Sequence, residues 1–218
     1  MKKILLLTTG GTIASVQGED GLTPEAAPTA FDRIIQEYSH YYEIQSRNIL
    51  NLDSSNIQSE EWRLIAQSVY ESLPGYDGIV ITHGTDTMAY TASMLTFMLE
   101  NLQKPVVFTG SQLPISSPLS DAPGNLATAF AAVDAGLHGV SVAFNHKIIR
   151  GCRAVKVRAM GFDAFASVNS PYRGEILASG LEIYDHSAPP EGQTRLNSRL
   201  CNDVFLLKLI PGTNPQIF

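Results

Sequence analysis

Cysteine is nearly missing from this chain. Cys152 and Cys201 are its two, with no paired spacing, which excludes a disulfide scaffold and any Cys-rich zinc or iron–sulfur site. Charge is also sparse, at 17% of residues, and Lys plus Arg (15) fall short of Asp plus Glu (21), for a net charge of −6. No broad nucleic-acid surface is expected from that balance. No apolar run approaches the roughly 20 residues of a membrane span. The opening Met1-Lys2-Lys3 followed by Ile4-Leu5-Leu6-Leu7 imitates a signal peptide, but the run stops at Thr8, short of an h-region of about 7–15 residues. The expectation is a soluble, cytoplasmic protein without a membrane or nucleic-acid partner. His40, His83, His138, His146 and His186 show no paired spacing, so no metal site is expected. What is plentiful is apolar residues, 44% of 218, enough for one large domain or a domain plus part of a second. Repeats and low-complexity tracts are absent from the sequence.

Short apolar, β-branched runs alternate with helical patterns. Strands are predicted at Ile4–Thr8, Tyr42–Leu50, Gly78–Thr82, Pro105–Thr109 and Val140–Phe144. Helices are predicted at Phe31–Ser39, at Glu60–Leu73 with Ser59 as N-cap, from Thr87 to about Asn101, and at Asn125–Ala135 closed by Gly136. Strands with continuous apolar content between helices argue for an α/β fold, a mostly parallel mixed sheet covered on both faces. Past Phe144 the pattern turns irregular, with a strand or hairpin at Glu175–Tyr184. A polar stretch with Ala188-Pro189-Pro190-Glu191-Gly192 at its front reads as a linker. Asp203–Ile210 is then as apolar as the first strand and runs into Pro211-Gly212, the opening of a second, smaller α/β unit. The expected division is a catalytic domain over 1–186, a linker over 187–202, and the start of a C-terminal domain over 203–218.

Ligands of an open α/β sheet bind beyond the carboxyl ends of its strands. Four polar clusters fall there: Thr9-Gly10-Gly11-Thr12, Asp53-Ser54-Ser55, His83-Gly84-Thr85-Asp86-Thr87 and Gly110-Ser111-Gln112. Each alone has an ordinary reading: Thr12 or Asp86 as a helix cap, Ser54 as a turn residue, Lys156 as a solvated surface lysine. Four at one edge favour a site. The first lacks both the GxGxxG spacing and the lysine of a phosphate loop. Hydroxyls dominate, and a threonine hydroxyl serves as an acyl-transfer nucleophile when a base takes its proton and donors hold the oxyanion. Thr12, Thr85 and Asp86, tuned by a lysine, supply such chemistry without a cofactor. His83, at a strand end, reads as a hydrogen-bonded core histidine.

Thr9-Gly10-Gly11-Thr12-Ile13-Ala14 and Ile81-Thr82-His83-Gly84-Thr85-Asp86-Thr87 resemble the two sequence motifs of bacterial-type L-asparaginases. Leu50–Ser55, Thr109–Pro114, Ser120–Pro123, Arg153-Ala154-Val155-Lys156 and Phe162–Phe165 are similar to that family as well, closest to its cytoplasmic type I members. The resemblance implies hydrolysis of L-asparagine to L-aspartate and ammonia with no metal or cofactor. Carried over by position, Thr12 is the nucleophile, and Thr85, polarised by Lys156 and Asp86, activates water or the nucleophile. Asp86 also accepts the substrate α-ammonium. Ser54 binds the α-carboxylate with Asp53 and Ser55 beside it, and Ser111 lines the side-chain amide. The resemblance further implies a homo-oligomer, dimer or tetramer, or a complementing C-terminal domain.

Two features depart from the family pattern. Many members carry a tyrosine in the mobile loop after the first motif, where this chain has Gly21-Leu22-Thr23-Pro24, so Leu22 stands in its place; either Thr23 or another hydroxyl takes over, or a tyrosine there is dispensable. Of the smaller C-terminal domain, only the first strand, Val204–Ile210, is expected here. Two other readings follow: a non-catalytic amino-acid-binding or assembly module, and an amidase subunit of a tRNA-dependent amidotransferase.

Overall fold

The computed structural model describes residues 1–18, 21–24 and 29–217. Its centre is an eight-stranded mixed sheet. In chain order the strands are β1 (Lys2–Gly10), β2 (Tyr42–Leu52), β3 (Gly78–Thr82), β4 (Pro105–Thr109), β5 (Gly139–Phe144), β6 (Lys147–Arg150), β7 (Gly174–Leu177) and β8 (Gly180–Ile183). Their order across the sheet is β8-β7-β6-β5-β4-β3-β1-β2. From β2 to β5 all neighbours are parallel, and from β5 to β8 all are antiparallel. The predicted α/β class and the predicted hairpin near 175–184 are both present.

Alternation along the strands explains the two covered faces. Leu5 and Leu7 of β1, Ile79 and Ile81 of β3, and Val106 and Phe108 of β4 pack against helices α2 (Ser59–Ser72) and α3 (Met88–Met98). Ile4, Leu6, Val80 and Val107, one residue out of phase, pack against helices α1 (Thr29–Tyr38) and α4 (Ala122–Asp134). The helical spacing read from the sequence appears as burial: Ile65, Ala66 and Val69 of α2 are fully enclosed. That helix starts one residue early, at Ser59, because the Glu61 carboxylate accepts the backbone N–H of Gln58 at 2.7 Å and sets the cap there.

The strand expected at Asp203–Ile210 does not form. Residues 203–210 have no regular secondary structure, and Phe205 and Leu206 are 85% and 89% exposed. A strand is a paired object, and among the described residues nothing pairs with this stretch. The residues before it behave differently. Arg195–Leu196 pairs antiparallel with Leu99–Glu100, and Gln103 donates to the Gly192 carbonyl at 2.5 Å, so the predicted linker lies docked on the α3–β4 connection.

Candidate active site

Parallel pairing puts the carboxyl ends of β2, β1, β3 and β4 along one edge. Thr8 stands opposite Thr82, and Thr82 opposite Thr109, so the loops that follow leave the sheet at one level. Glycine then lets those loops touch. Gly10 and Gly11 take positive φ, 97° and 77°, which side chains disfavour. A Cβ on Gly11 would lie 2.4 Å from the backbone nitrogen of Gly84, and one on Gly84 would lie 2.5 Å from Ser54 Oγ. The Thr12, Ser54 and Thr85 loops are therefore in close contact, at a distance only glycine permits.

Within this cluster Lys156 Nζ donates to Thr85 Oγ1 at 2.8 Å and to Asp86 Oδ1 at 2.6 Å. The lysine comes from the short strand Ala154–Lys156, which pairs with Phe165–Ser167, far along the chain from Thr85. Its side chain is 15% exposed, whereas that of Asp86 is 63% exposed. Asp86 does not cap α3, whose N-cap is Thr87, so its carboxylate is available to the lysine and to solvent. Thr87 Oγ1 donates to the Ser54 carbonyl at 2.7 Å, tying the second and third clusters together. Asp53 accepts both the N–H (2.8 Å) and the hydroxyl (2.6 Å) of Ser55, and those bonds hold its carboxyl below the usual range. Thr12 is half-buried at the start of a single 3₁₀ turn, and among the described residues no hydrogen bond engages its hydroxyl. Ser111 is buried and turns its hydroxyl onto the carbonyl of Leu113 in its own loop. Leu22 and Thr23 belong to a short hairpin in which Val16 pairs with Thr23 and Gln17 with Leu22, and their side chains lie outside the described part of the structure.

A family model described as "Asparaginase, N-terminal" matches residues 3–189. An L-asparaginase of Thermococcus kodakarensis is 44% identical over 99% of this chain and 66% of its own length. The solved structure of the thermostable L-asparaginase from that organism superposes with a TM-score of 0.88 at 42% identity, again over 99% of this chain and 66% of its own. L-asparaginase 1 of Escherichia coli is 37% identical over the same shares, and a glutamyl-tRNA(Gln) amidotransferase component of Methanosphaera stadtmanae is 35% identical over 99% of this chain and 52% of its own length. The chain belongs to the asparaginase family. It spans 66% of the length of those two L-asparaginases.

The structure of this asparaginase-family chain adds three residues to which sequence reading gives no role. Gln112 Oε1 accepts the Thr85 hydroxyl at 3.1 Å, while its Nε2 donates to the carbonyls of Ala159 and Gly161, both at 3.0 Å. Asp121 accepts the backbone N–H groups of Gln112 (3.0 Å) and Leu113 (3.2 Å), and Asn125 bridges Asp121 Oδ2 (3.0 Å) to the Gly110 carbonyl (2.9 Å). A signal for the last two exists, since Asp121 and Asn125 are four apart at the start of α4 and so share a face. A cleft of about 560 Å³ shares Asp86 and Lys156 with the cluster and adds Tyr90, Ser93 and Cys152, but reaches neither Thr12 nor Ser54. Among the described residues, no group of three or more His, Cys, Asp and Glu could hold a metal ion, and no helix is long and apolar enough to cross a membrane.

His83 is fully enclosed. Its Nδ1 lies 2.8 Å from the Gly84 carbonyl and its Nε2 lies 2.9 Å from Thr91 Oγ1. A carbonyl only accepts, so the proton sits on Nδ1 and Thr91 donates to Nε2. Burial pushes the imidazole pKa down to about 4, against the pull of the Gly84 carbonyl. A neutral histidine thereby orients the glycine beside Thr85.

Proposed function

We propose that this chain carries the catalytic residues of an L-asparaginase, hydrolysing L-asparagine to L-aspartate and ammonia through a threonine acyl-enzyme. The observation that carries the reading is Lys156 Nζ bridging Thr85 Oγ1 and Asp86 Oδ1 in a loop packed against Gly11, the residue before Thr12. Thr12 attacks the side-chain amide carbon, ammonia leaves, and water hydrolyses the ester. Among the described residues no hydrogen bond engages the Thr12 hydroxyl, which suits that role. Thr85, polarised by the lysine and oriented by Gln112, relays the proton. The open Asp86 carboxylate takes the substrate α-ammonium, Ser54, flanked by Asp53 and Ser55, takes the α-carboxylate, and Ser111 lines the amide. The 44% identity to an L-asparaginase supports this reading. The whole protein is proposed to be cytoplasmic, to need no cofactor, and to assemble as a homo-oligomer.

The second reading, an amidase subunit acting on charged tRNA, has the 35% identity to a glutamyl-tRNA(Gln) amidotransferase component behind it and the net charge of −6 against it. Ammonia release from free L-asparagine by the purified chain tests the first reading, with Thr12→Ala as the blank. Turnover lost in Thr12→Ala, with the unfolding midpoint unchanged, is the expected outcome. Turnover retained in Thr12→Ala removes the nucleophile assignment, and release that requires tRNA selects the second reading.

A further inference from the structure

A second charged cluster is built at the antiparallel side of the sheet. Arg173, just before β7, is 2% exposed. Its Nε donates to Asp185 Oδ2 at 2.8 Å and its Nη1 to Ser141 Oγ at 2.7 Å. Arg150 Nη2 reaches the same Asp185 oxygen at 2.7 Å. Two guanidinium groups thus share one carboxylate, which leaves one positive charge uncompensated. The third nitrogen of Arg173, Nη2, is buried with no hydrogen-bond partner among the described residues. A buried donor left unpaired is costly, more so when charged, so the cluster holds its surplus positive charge at a cost.

Arg150, Arg173 and His138 line a cavity of about 420 Å³ whose walls also include Leu99, Leu102 and Val140. The docked segment closes one side of it with Ser187, Ala188 and Pro190. Burial, then the neighbouring Arg173, lowers the His138 pKa, so the imidazole stays neutral and the surplus at neutral pH is a single positive charge. A single surplus charge suits a monoanion better than a phosphate dianion. Planar guanidinium geometry suits a carboxylate, and the leucine and valine walls suit a short hydrocarbon chain.

We propose that this cavity binds a small monocarboxylate, its oxygens on the guanidinium of Arg150 beside the surplus charge of the cluster and its hydrocarbon part against Leu99, Leu102 and Val140. The site is separate from the Thr12–Lys156 cluster, and none of its residues is assigned to hydrolysis. Isothermal titration of the purified chain with sodium butyrate, at an ionic strength fixed with sodium chloride, is expected to give saturable one-site binding. Butylamine hydrochloride, of equal size and opposite charge, is expected to give none. Arg150→Ala should weaken butyrate binding about tenfold, the size of one charge-assisted hydrogen bond. Substituting Arg173 disturbs the buried ion cluster, so Ala188→Trp is the second variant. Ala188 is exposed and lines the cavity without being part of that cluster, so the indole fills the cavity with Arg150, Arg173 and Asp185 all retained. Loss of butyrate binding in Ala188→Trp, at an unchanged unfolding midpoint, is the expected result. Butyrate heats equal to chloride, or binding untouched in both variants, overturn the proposal.

Discussion

Lys156–Asp86 and Arg173–Asp185 are both close ion pairs, at 2.6 and 2.8 Å, yet they are held in opposite ways. Asp185 is 11% exposed and takes four donors: Arg150, Arg173, and the N–H and hydroxyl of Ser187. Burial alone would raise its pKa, but the Ser187 bonds and Arg173 outweigh that and hold the carboxyl well below the usual range. Asp86 has one described partner and turns 63% of its side chain to water. A saturated carboxylate ties structure together. One left with open lone pairs beside buried Thr85 keeps its capacity for something that arrives from solution. The same chemical group is thus architectural in one place and receptive in the other, and the number of internal donors is what separates them.

Lys156→Met puts the receptive half of that contrast to its hardest test. Ammonia release should fall by at least about 10²-fold, the size of a lost proton-transfer or polarising group. The unfolding free energy from urea titration should change by less than about 1 kcal/mol, because the partner carboxylate stays hydrated. A large loss of stability would make this pair architectural too. Arg173→Met tests the other half. It takes the buried donor from Asp185, leaving Arg150 and Ser187 on the carboxylate and Ser141 without its partner, and should cost about 1.5–3 kcal/mol in urea unfolding. A cost below about 1 kcal/mol would erase the distinction.

Acid sharpens the comparison next. His83 has a folded pKa of about 4 against an ordinary 6.5, so between those values the unfolded chain binds a proton that the folded chain refuses. Stability is therefore complete above pH 6.5, falls as pH drops toward 4, and loses about 3 kcal/mol over that window. His138, also lowered, adds to the fall in the same direction. Asp185, whose pKa is lowered, adds its own loss only below about pH 4, once the unfolded carboxyl protonates. Urea midpoints at about pH 7, 5.5 and 4.5 should decline in sequence, and a flat series would show that His83 titrates as if in water.

Much of the fold was legible, because buried parallel strands are continuous apolar runs and each four-residue stretch such as Ile4–Leu7 announces itself. The site was legible as four clusters because parallel strands deliver their ends to one edge. What could not be read was side-chain direction. Ser111 looks like a pocket residue in the sequence, yet its hydroxyl serves its own loop, while Gln112 next to it meets Thr85. Arg173 and Asp185 carry no local signal at all, since a buried ion pair depends on which strands the topology brings together. Asp203–Ile210 fails for the same reason in reverse. Its composition suits a strand, but composition cannot supply the neighbour that a strand requires.

The smallest effect concerns the line that joins the receptive cluster to the core. Trp62 Nε1 donates to Thr91 Oγ1 at 3.1 Å, Thr91 donates to His83 Nε2, and His83 donates to the Gly84 carbonyl. Three side chains from α2, α3 and the end of β3 thus fix the peptide that precedes Thr85. Thr91→Val keeps the shape but leaves the imidazole acceptor and the indole donor unpaired, at a cost of about 1–2 kcal/mol. Turnover should change by no more than about threefold, since Lys156 and Gln112 still hold Thr85 directly. Trp62 is the only tryptophan, so its emission reports the lost bond without labelling, and Thr91→Ser should restore the wild-type spectrum. If Thr91→Val instead abolished turnover at nearly full stability, the receptive cluster would extend through the core to Trp62, and exposure would no longer mark its boundary.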